Sequence, residues 1–215
     1  MILSRRFCLK HSMQKTKSFN TLEYLIDIIN QEKIQGCFVE CGVWKGGTSM
    51  WMLTCQSKYN NEREIYLYDT FNGITIPSNK DVQIQSNELA IDIYNRYNGN
   101  WMICPLEEVK NNISKVKYDL KKIHYIKGDI INTLENNENI PEKISLLRLD
   151  TDWYESTKKE LEILFPKLVK NGFVIIDDYY YWEGAKKATD EFFFHRSDIK
   201  YIFNHNSTRL VIQKI

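Results

Sequence analysis

Lys143-Ile144-Ser145-Leu146-Leu147-Arg148-Leu149-Asp150 and Gly172-Phe173-Val174-Ile175-Ile176-Asp177-Asp178 are two short apolar runs, each of which stops at an acid. Between them lies Thr157 to Val169, where Leu161, Leu164, Phe165, Leu168 and Val169 share one helical face. A strand, a helix and a second strand, with ~20 residues between the strand ends, demand a parallel crossover, because a tight hairpin has no room for a helix. Thr157 and Glu160 have the spacing of a capping box, and Pro166 should kink or split the helix, since its ring removes a backbone donor.

The same rhythm extends toward the N-terminus. Cys37-Phe38-Val39-Glu40-Cys41, Glu64 to Asp69 and Ile123 to Asp129 are three further apolar runs that end at or beside an acid. A helix is expected from about Thr48 to Lys58. Another is expected over about 18–31, with Leu22, Leu25, Ile26 and Ile29 on one face and Ser18 or Asn20 as its cap. Toward the C-terminus, Tyr201-Ile202-Phe203 and Thr208 to Ile212 flank Asn204-His205-Asn206-Ser207, which reads as an antiparallel hairpin at the sheet edge. The chain is therefore read as one α/β domain over 1–215: a doubly wound, mostly parallel sheet with helices on both faces and an antiparallel C-terminal hairpin. The stretch from about 74 to 101 breaks the rhythm with polar residues and Pro77, and is read as a lid or insertion with little core of its own.

Composition narrows the function classes. Lys and Arg number 29 against 28 Asp and Glu, a formal charge of +1, so there is no basic field for nucleic acid or an anionic membrane. Five cysteines form no C-x-x-C pair, which fits reduced thiols and a cytoplasmic location. No apolar run approaches the ~18 residues of a membrane span. Arg5-Arg6 resembles the start of a twin-arginine signal, but the polar sequence that follows offers no apolar segment, so export is not expected.

On sheets of this type ligands bind outside the carboxyl ends of the strands, where the terminal acids should gather. Glu40-Cys41-Gly42-Val43-Trp44-Lys45-Gly46-Gly47-Thr48-Ser49 is a glycine-bearing strand-to-helix turn. It lets a cofactor approach the backbone, although it departs from the dinucleotide pattern G-x-G-x-x-G. Glu40 would repel a pyrophosphate and suits a cationic group such as the amine of S-adenosylmethionine. Asp69 can accept both ribose hydroxyls, and Asp129 can face an adenine amine. Asp150 and Asp152 follow one strand and Asp177 and Asp178 the next. With neighbouring strands ~4.8 Å apart, such acids repel unless a cation lies between them, and an all-oxygen set selects Mg²⁺, Ca²⁺ or Mn²⁺.

Val39 to Gly47, Tyr68-Asp69-Thr70-Phe71-Asn72-Gly73, Leu147 to Thr157 and Ile176-Asp177-Asp178-Tyr179 with Gly184-Ala185 together resemble the macrocin O-methyltransferase family. The resemblance runs from about residue 20 to the C-terminus. It implies a class I methyltransferase, Rossmann-like fold, S-adenosylmethionine as donor, Mg²⁺, and methylation of a sugar hydroxyl on a small-molecule or glycan acceptor, with a homo-oligomer left open. Carried onto matching positions, Glu40, Gly42, Asp69 and Asp129, with the turn residues Gly46, Gly47 and Ser49, would hold the donor. Asp150, Asp177 and Asp178 would hold the metal.

A sugar hydroxyl is a poor nucleophile because it keeps its proton, and a dication would stabilise the alkoxide while Asp150 or Asp152 takes the proton. Whether Asp152 is a further ligand or the base stays open. His124, His195 and His205 are weaker candidates for the base. Tyr179, Tyr180, Tyr181 and Trp182 can stack on a sugar ring or simply pack beside the site. Two alternatives remain: a catechol-type methyltransferase acting on a phenol, and a non-catalytic glycan-binding relative. The first commonly has Asn where Asp178 stands and Lys soon after the first metal-binding Asp, whereas Asp150 is followed by Thr151-Asp152-Trp153.

Overall fold

A computed structural model describes residues 3–202 and 209–215. Among the described residues seven strands form one sheet: β1 Cys37–Cys41, β2 Ile65–Asp69, β3 Ile123–Lys127, β4 Ile144–Leu149, β5 Leu168–Ile176, β6 Ile199–Ile202 and β7 Leu210–Lys214. Their order is β3-β2-β1-β4-β5-β7-β6. β1 to β5 run parallel, and β7 pairs antiparallel with both β5 and β6. The expected hairpin is thus present as a strand pair, and its turn, Asn204 to Ser207, lies outside the described residues.

The side-chain period of two divides the core into layers. Phe38, Leu67, Leu146, Phe173 and Ile175 face one side. There they meet α1 Arg5–Leu9, α2 Thr16–Gln31, α3 Gly47–Gln56 and α5 Leu106–Ile113, through residues such as Cys8, Leu25, Ile29, Leu53 and Ile113. Val39, Tyr68, Leu147, Val174 and Ile176 face the other side and meet α6 Ile130–Thr133, α7 Tyr154–Leu164 and α8 Glu183–Phe193. All five cysteines are buried and unbridged. No helix among the described residues is long and apolar enough to cross a membrane.

Several local expectations are corrected. α2 starts at Thr16 after Lys15 and has no side-chain cap, so Ser18 and Asn20 lie inside it. α7 begins at Tyr154, three residues before Thr157, and Glu160 turns inward to Thr151 instead of back to a cap, so there is no capping box. Pro166 does end the helix, in a single 3₁₀ turn over Phe165–Lys167, after which Leu168 and Val169 already belong to β5. β5 lies inside the sheet between β4 and β7, and the pairing of Leu168 with Ile144 of β4 outweighs their helical spacing. The insertion between β2 and α5 also departs from expectation. It contains α4 Ala90–Arg96, and its Ala90, Ile93, Ile74 and Trp101 pack with Trp153, Trp182 and Ala185, a small core shared with the segments after β4 and β5.

Glu160 is fully buried in α7; its Oε1 accepts from the Thr151 hydroxyl at 2.9 Å, and burial pushes the carboxyl up to about 8. A carboxyl raised in the folded state contributes stability that is present below its unfolded pKa and is lost as pH rises through its folded pKa. Between pH 5 and 8 the stability of Glu160→Gln relative to the parent should therefore improve by about 3 kcal/mol. Urea unfolding at the two pH values measures this, and a difference that does not change with pH would show that Glu160 ionises freely in the folded protein.

Candidate active site

β1 has β2 on one side and β4 on the other, so the chain leaves the sheet in opposite directions at their carboxyl ends and opens a crevice there. A cavity of about 310 Å³ occupies it. Its wall takes Gly42 and Trp44 after β1, Asp69 and Thr70 at β2, Gly128 and Asp129 after β3, Asp150 to Asp152 after β4, and Asp177 and Asp178 after β5. Met13, Gln14, Trp101, Met102, Tyr181, Trp182 and Arg209 also line it.

On the β1–β3 side the backbone sets the shape. Gly42 has φ +84°, and a Cβ there would stand 2.0 Å from the Asp150 carbonyl oxygen, so only glycine lets the turn cross the end of β4. Asp69 stitches two turns together: its Oδ2 accepts from the backbone N–H of Val43 (2.7 Å) and Trp44 (2.9 Å), and its Oδ1 from that of Phe71 (2.7 Å). Asp129 caps α6 through the Ile131 N–H at 3.0 Å. Both carboxylates border the cavity.

Four residues of the glycine-bearing motif lie elsewhere. Gly46 caps α3 and packs toward Val109 and Ile113. Gly47 abuts the N-terminal segment, where a Cβ would meet the Cys8 and His11 carbonyl oxygens at 2.5 Å, and its N–H is already donated to His11. Glu40 and Ser49 are completely buried beneath the cavity and bonded to each other. Burial pushes Glu40 up to about 7, against the pull of Arg148.

The acids after β4 and β5 do converge. One carboxylate oxygen each from Asp150, Asp177 and Asp178 lie within 4.8 Å of one another. Beneath them is Arg148, only 3% exposed, whose guanidinium reaches Glu40 Oε1 (2.8 Å), Asp150 Oδ2 (2.7 Å) and Asp177 Oδ1 (2.9 Å). Asp177 also meets the Arg209 guanidinium at 2.7 Å and accepts from Gln14 Nε2 at 2.9 Å. The two arginines hold Asp177 below the usual carboxylate range although burial opposes them. Burial and neighbouring carboxylates push Asp150 and Asp178 well above it. An all-oxygen cluster in which two members resist ionisation fits a hard divalent cation, whose charge would relieve that resistance.

Asp152 adopts a left-handed backbone conformation, φ +71°. Its N–H donates to Asp178 Oδ2 (3.2 Å), and its Oδ1 accepts from Trp182 Nε1 (2.8 Å). Burial and the Asp150 charge push its carboxyl up to about 8. Trp182 lies edge-on to Trp153 at 5.0 Å and to Trp101 at 6.5 Å, and with Tyr181 it forms an aromatic part of the cavity wall beside Asp152. Tyr179 turns away to Asp190, and half-exposed Tyr180 is not in the wall. His124 pairs with Glu64 at the surface and His195 is exposed beside Phe194, so neither borders the cavity; His205 lies outside the described residues.

Sequence reading gave no role to Arg148, although a lone charge between Leu147 and Leu149 in a buried strand signals a buried ion pair. Gln14, Trp101 and Arg209 carried no such signal, since their place at the cavity depends on how distant segments pack.

A family model described as macrocin O-methyltransferase (TylF) matches residues 6–205. The 8-demethyl-8-(2,3-dimethoxy-alpha-L-rhamnosyl)-tetracenomycin-C 4'-O-methyltransferase of Streptomyces olivaceus is 29% identical over 170 residues, covering 79% of this chain and 62% of that protein. The mycinamicin III 3''-O-methyltransferase of Micromonospora griseorubida is 26% identical over 170 residues, covering 79% of this chain and 65% of that protein. The chain thus spans a little under two thirds of the length of these two relatives. The O-methyltransferase NovP superimposes with a TM-score of 0.79 at 25% identity, over 95% of this chain and 82% of that one.

Proposed function

Since the chain belongs to the macrocin O-methyltransferase family and has the class I methyltransferase fold, we propose that it transfers a methyl group from S-adenosylmethionine to a sugar hydroxyl of a glycosylated small molecule, with Mg²⁺ at the acid cluster. One observation carries the reading: a single cavity is lined by Gly42, Asp69 and Asp129 at the carboxyl ends of β1 to β3 and by Asp150, Asp152, Asp177 and Asp178 after β4 and β5, with Trp101, Tyr181 and Trp182 also on its wall. That is a nucleoside end and an oxygen-activating end within reach of each other.

When bound, the donor brings an electrophilic methyl group that needs no activation, and the cation lowers the cost of an alkoxide. The protein's own task is alignment and proton transfer. Asp69 accepts one ribose hydroxyl with the lone pair left on Oδ1 by its three backbone bonds, and Asp129 faces the adenine amine. Asp150, Asp177 and Asp178 hold the cation, while Glu40 and Ser49 act one layer down by steadying Arg148. Asp152, with a carboxyl at about 8, lies in the range where a general base takes and returns a proton readily near neutrality. Tyr181 offers an exposed face for the sugar ring, with buried Trp182 packed edge-on beside it.

Incubation with S-adenosylmethionine, Mg²⁺ and a panel of glycosylated acceptors should release S-adenosylhomocysteine together with a product heavier by one methylene. Release with phenolic aglycones alone would favour phenol methylation instead. Titration calorimetry with S-adenosylhomocysteine addresses the donor end. Asp69→Ala should bind it roughly ten- to a hundredfold more weakly, the loss of a charge-assisted hydrogen bond worth ~1.5–3 kcal/mol. Parental affinity would remove Asp69 from the donor site.

A further inference from the structure

The insertion between β2 and α5 folds back over the two loops that carry the acid cluster, and a buried carboxylate fastens it there. Asp81 has no exposed surface. Its Oδ2 accepts from the backbone N–H (2.7 Å) and hydroxyl (2.8 Å) of Ser78, and its carbonyl from the N–H of Ala90 (2.8 Å), which shapes the insertion itself. Its Oδ1 accepts from the backbone N–H of Tyr154 at 2.8 Å. Tyr154 is the first residue of α7, and Trp153 at the cap position makes no capping bond, so this helix is capped by a residue more than 70 positions away. Gly184 is required opposite, because a Cβ there would stand 2.0 Å from Asp81 Oδ1.

Backbone bonds extend the fastening to the loop after β5: Glu183 N–H donates to the Val82 carbonyl and Ile84 N–H to the Tyr181 carbonyl, each at 2.9 Å. Trp153 Nε1 donates to the Thr75 carbonyl at 2.9 Å. Asp152, two residues before Tyr154, is held in a conformation that side chains avoid, and such strain persists only where the surroundings fix it. Its fixed points are Asp178, Trp182 and, through Tyr154, Asp81.

We propose that Asp81 is a positioning residue for methyl transfer. From the insertion it caps α7, and so keeps Asp152 in its left-handed conformation against Trp182 without touching donor or acceptor. The insertion is thereby a fixed acceptor wall, joined to both acid-bearing loops. The inference rests on the methyl-transfer reading above.

Asp81→Ala removes both attachments, whereas Asp81→Asn keeps an oxygen for Tyr154 and loses an acceptor for Ser78. Per folded molecule, Asp81→Ala should lower kcat at least thirtyfold while its affinity for S-adenosylhomocysteine stays within threefold and its acceptor KM within fivefold. Asp81→Asn should recover to between three- and tenfold below the parent. Hydrogen exchange supplies a readout free of turnover: backbone amides over 152–154 should exchange at least tenfold faster in Asp81→Ala, and about threefold faster in Asp81→Asn, with those of β1 and β4 unchanged. A folded Asp81→Ala with parental kcat, or with parental exchange over 152–154, overturns the proposal. Should Asp81→Ala not fold, Asp81→Asn decides, and parental values of both quantities in it overturn the proposal. If the parent itself turns over no acceptor, the methyl-transfer reading fails, and the exchange data still judge Asp81.

Discussion

Asp178→Asn should lose at least about a hundredfold in turnover while S-adenosylhomocysteine still binds within threefold of the parent, because the substitution removes one ligand of the proposed cation and nothing from the donor end. The same cause predicts that the parent stops in excess EDTA and recovers with Mg²⁺. It also predicts a stability signature. In the apo protein Asp178 is forced up by burial and by Asp152 and Asp177, so the neutral amide relieves repulsion and the apo variant should unfold at or slightly above the parental temperature. Added Mg²⁺ should stabilise the parent by about 2.7 kcal/mol at a hundred times its dissociation constant, and the variant by much less. Full parental activity in EDTA, or an asparagine variant with normal turnover, would make the cluster structural and end the metal-assisted reading.

Arg148→Met is expected to be the most destabilising single change, at about 3–5 kcal/mol, because it strips the shared cation from Glu40, Asp150 and Asp177, leaving Glu40 and Asp150 without a cationic partner and Asp177 with Arg209 alone. Arg148→Lys should be rescued only in small part, since one ammonium on a flexible stem cannot reproduce a planar fork that meets three carboxylates. The loss should shrink on acidification. Once the arginine is absent, the three carboxyls take up protons more readily in the folded than in the unfolded chain, so lowering the pH restores relative stability. Chemical denaturation at pH 5 and pH 8 checks the size and the sign, and a loss below about 1 kcal/mol at pH 8 would show that the buried pairs contribute little.

The alternation of apolar runs with amphipathic segments was enough to determine the parallel sheet and its two helical layers, because a period of two and a period of 3.6 are properties of the chain alone. The placing of Asp69, Asp129, Asp150, Asp152, Asp177 and Asp178 at strand ends followed as directly, since parallel strands bring their carboxyl ends to one edge. Helix starts were less legible. Thr157 and Glu160 had the spacing of a capping box, yet α7 begins three residues earlier, because the cap it uses is Asp81, invisible to any local window.

Tertiary structure alone decided which members of a motif face the cavity. Glu40 and Gly42 are two residues apart at the end of β1. One side chain points down into the layer with Ser49 and Arg148, while the turn at the other borders the cavity, and Gly47 is spent against the N-terminal segment. The aromatic run divided in the same way: Trp182 and Tyr181 form the wall, while Tyr179 turns to Asp190. Residue type and spacing thus determined the fold and the edge on which chemistry can occur. The partner of each carboxylate, Arg148, Arg209, Gln14 or Trp182, depended on contacts between segments up to 163 positions apart, because electrostatic pairing is set by distance in space and the sequence records only distance along the chain.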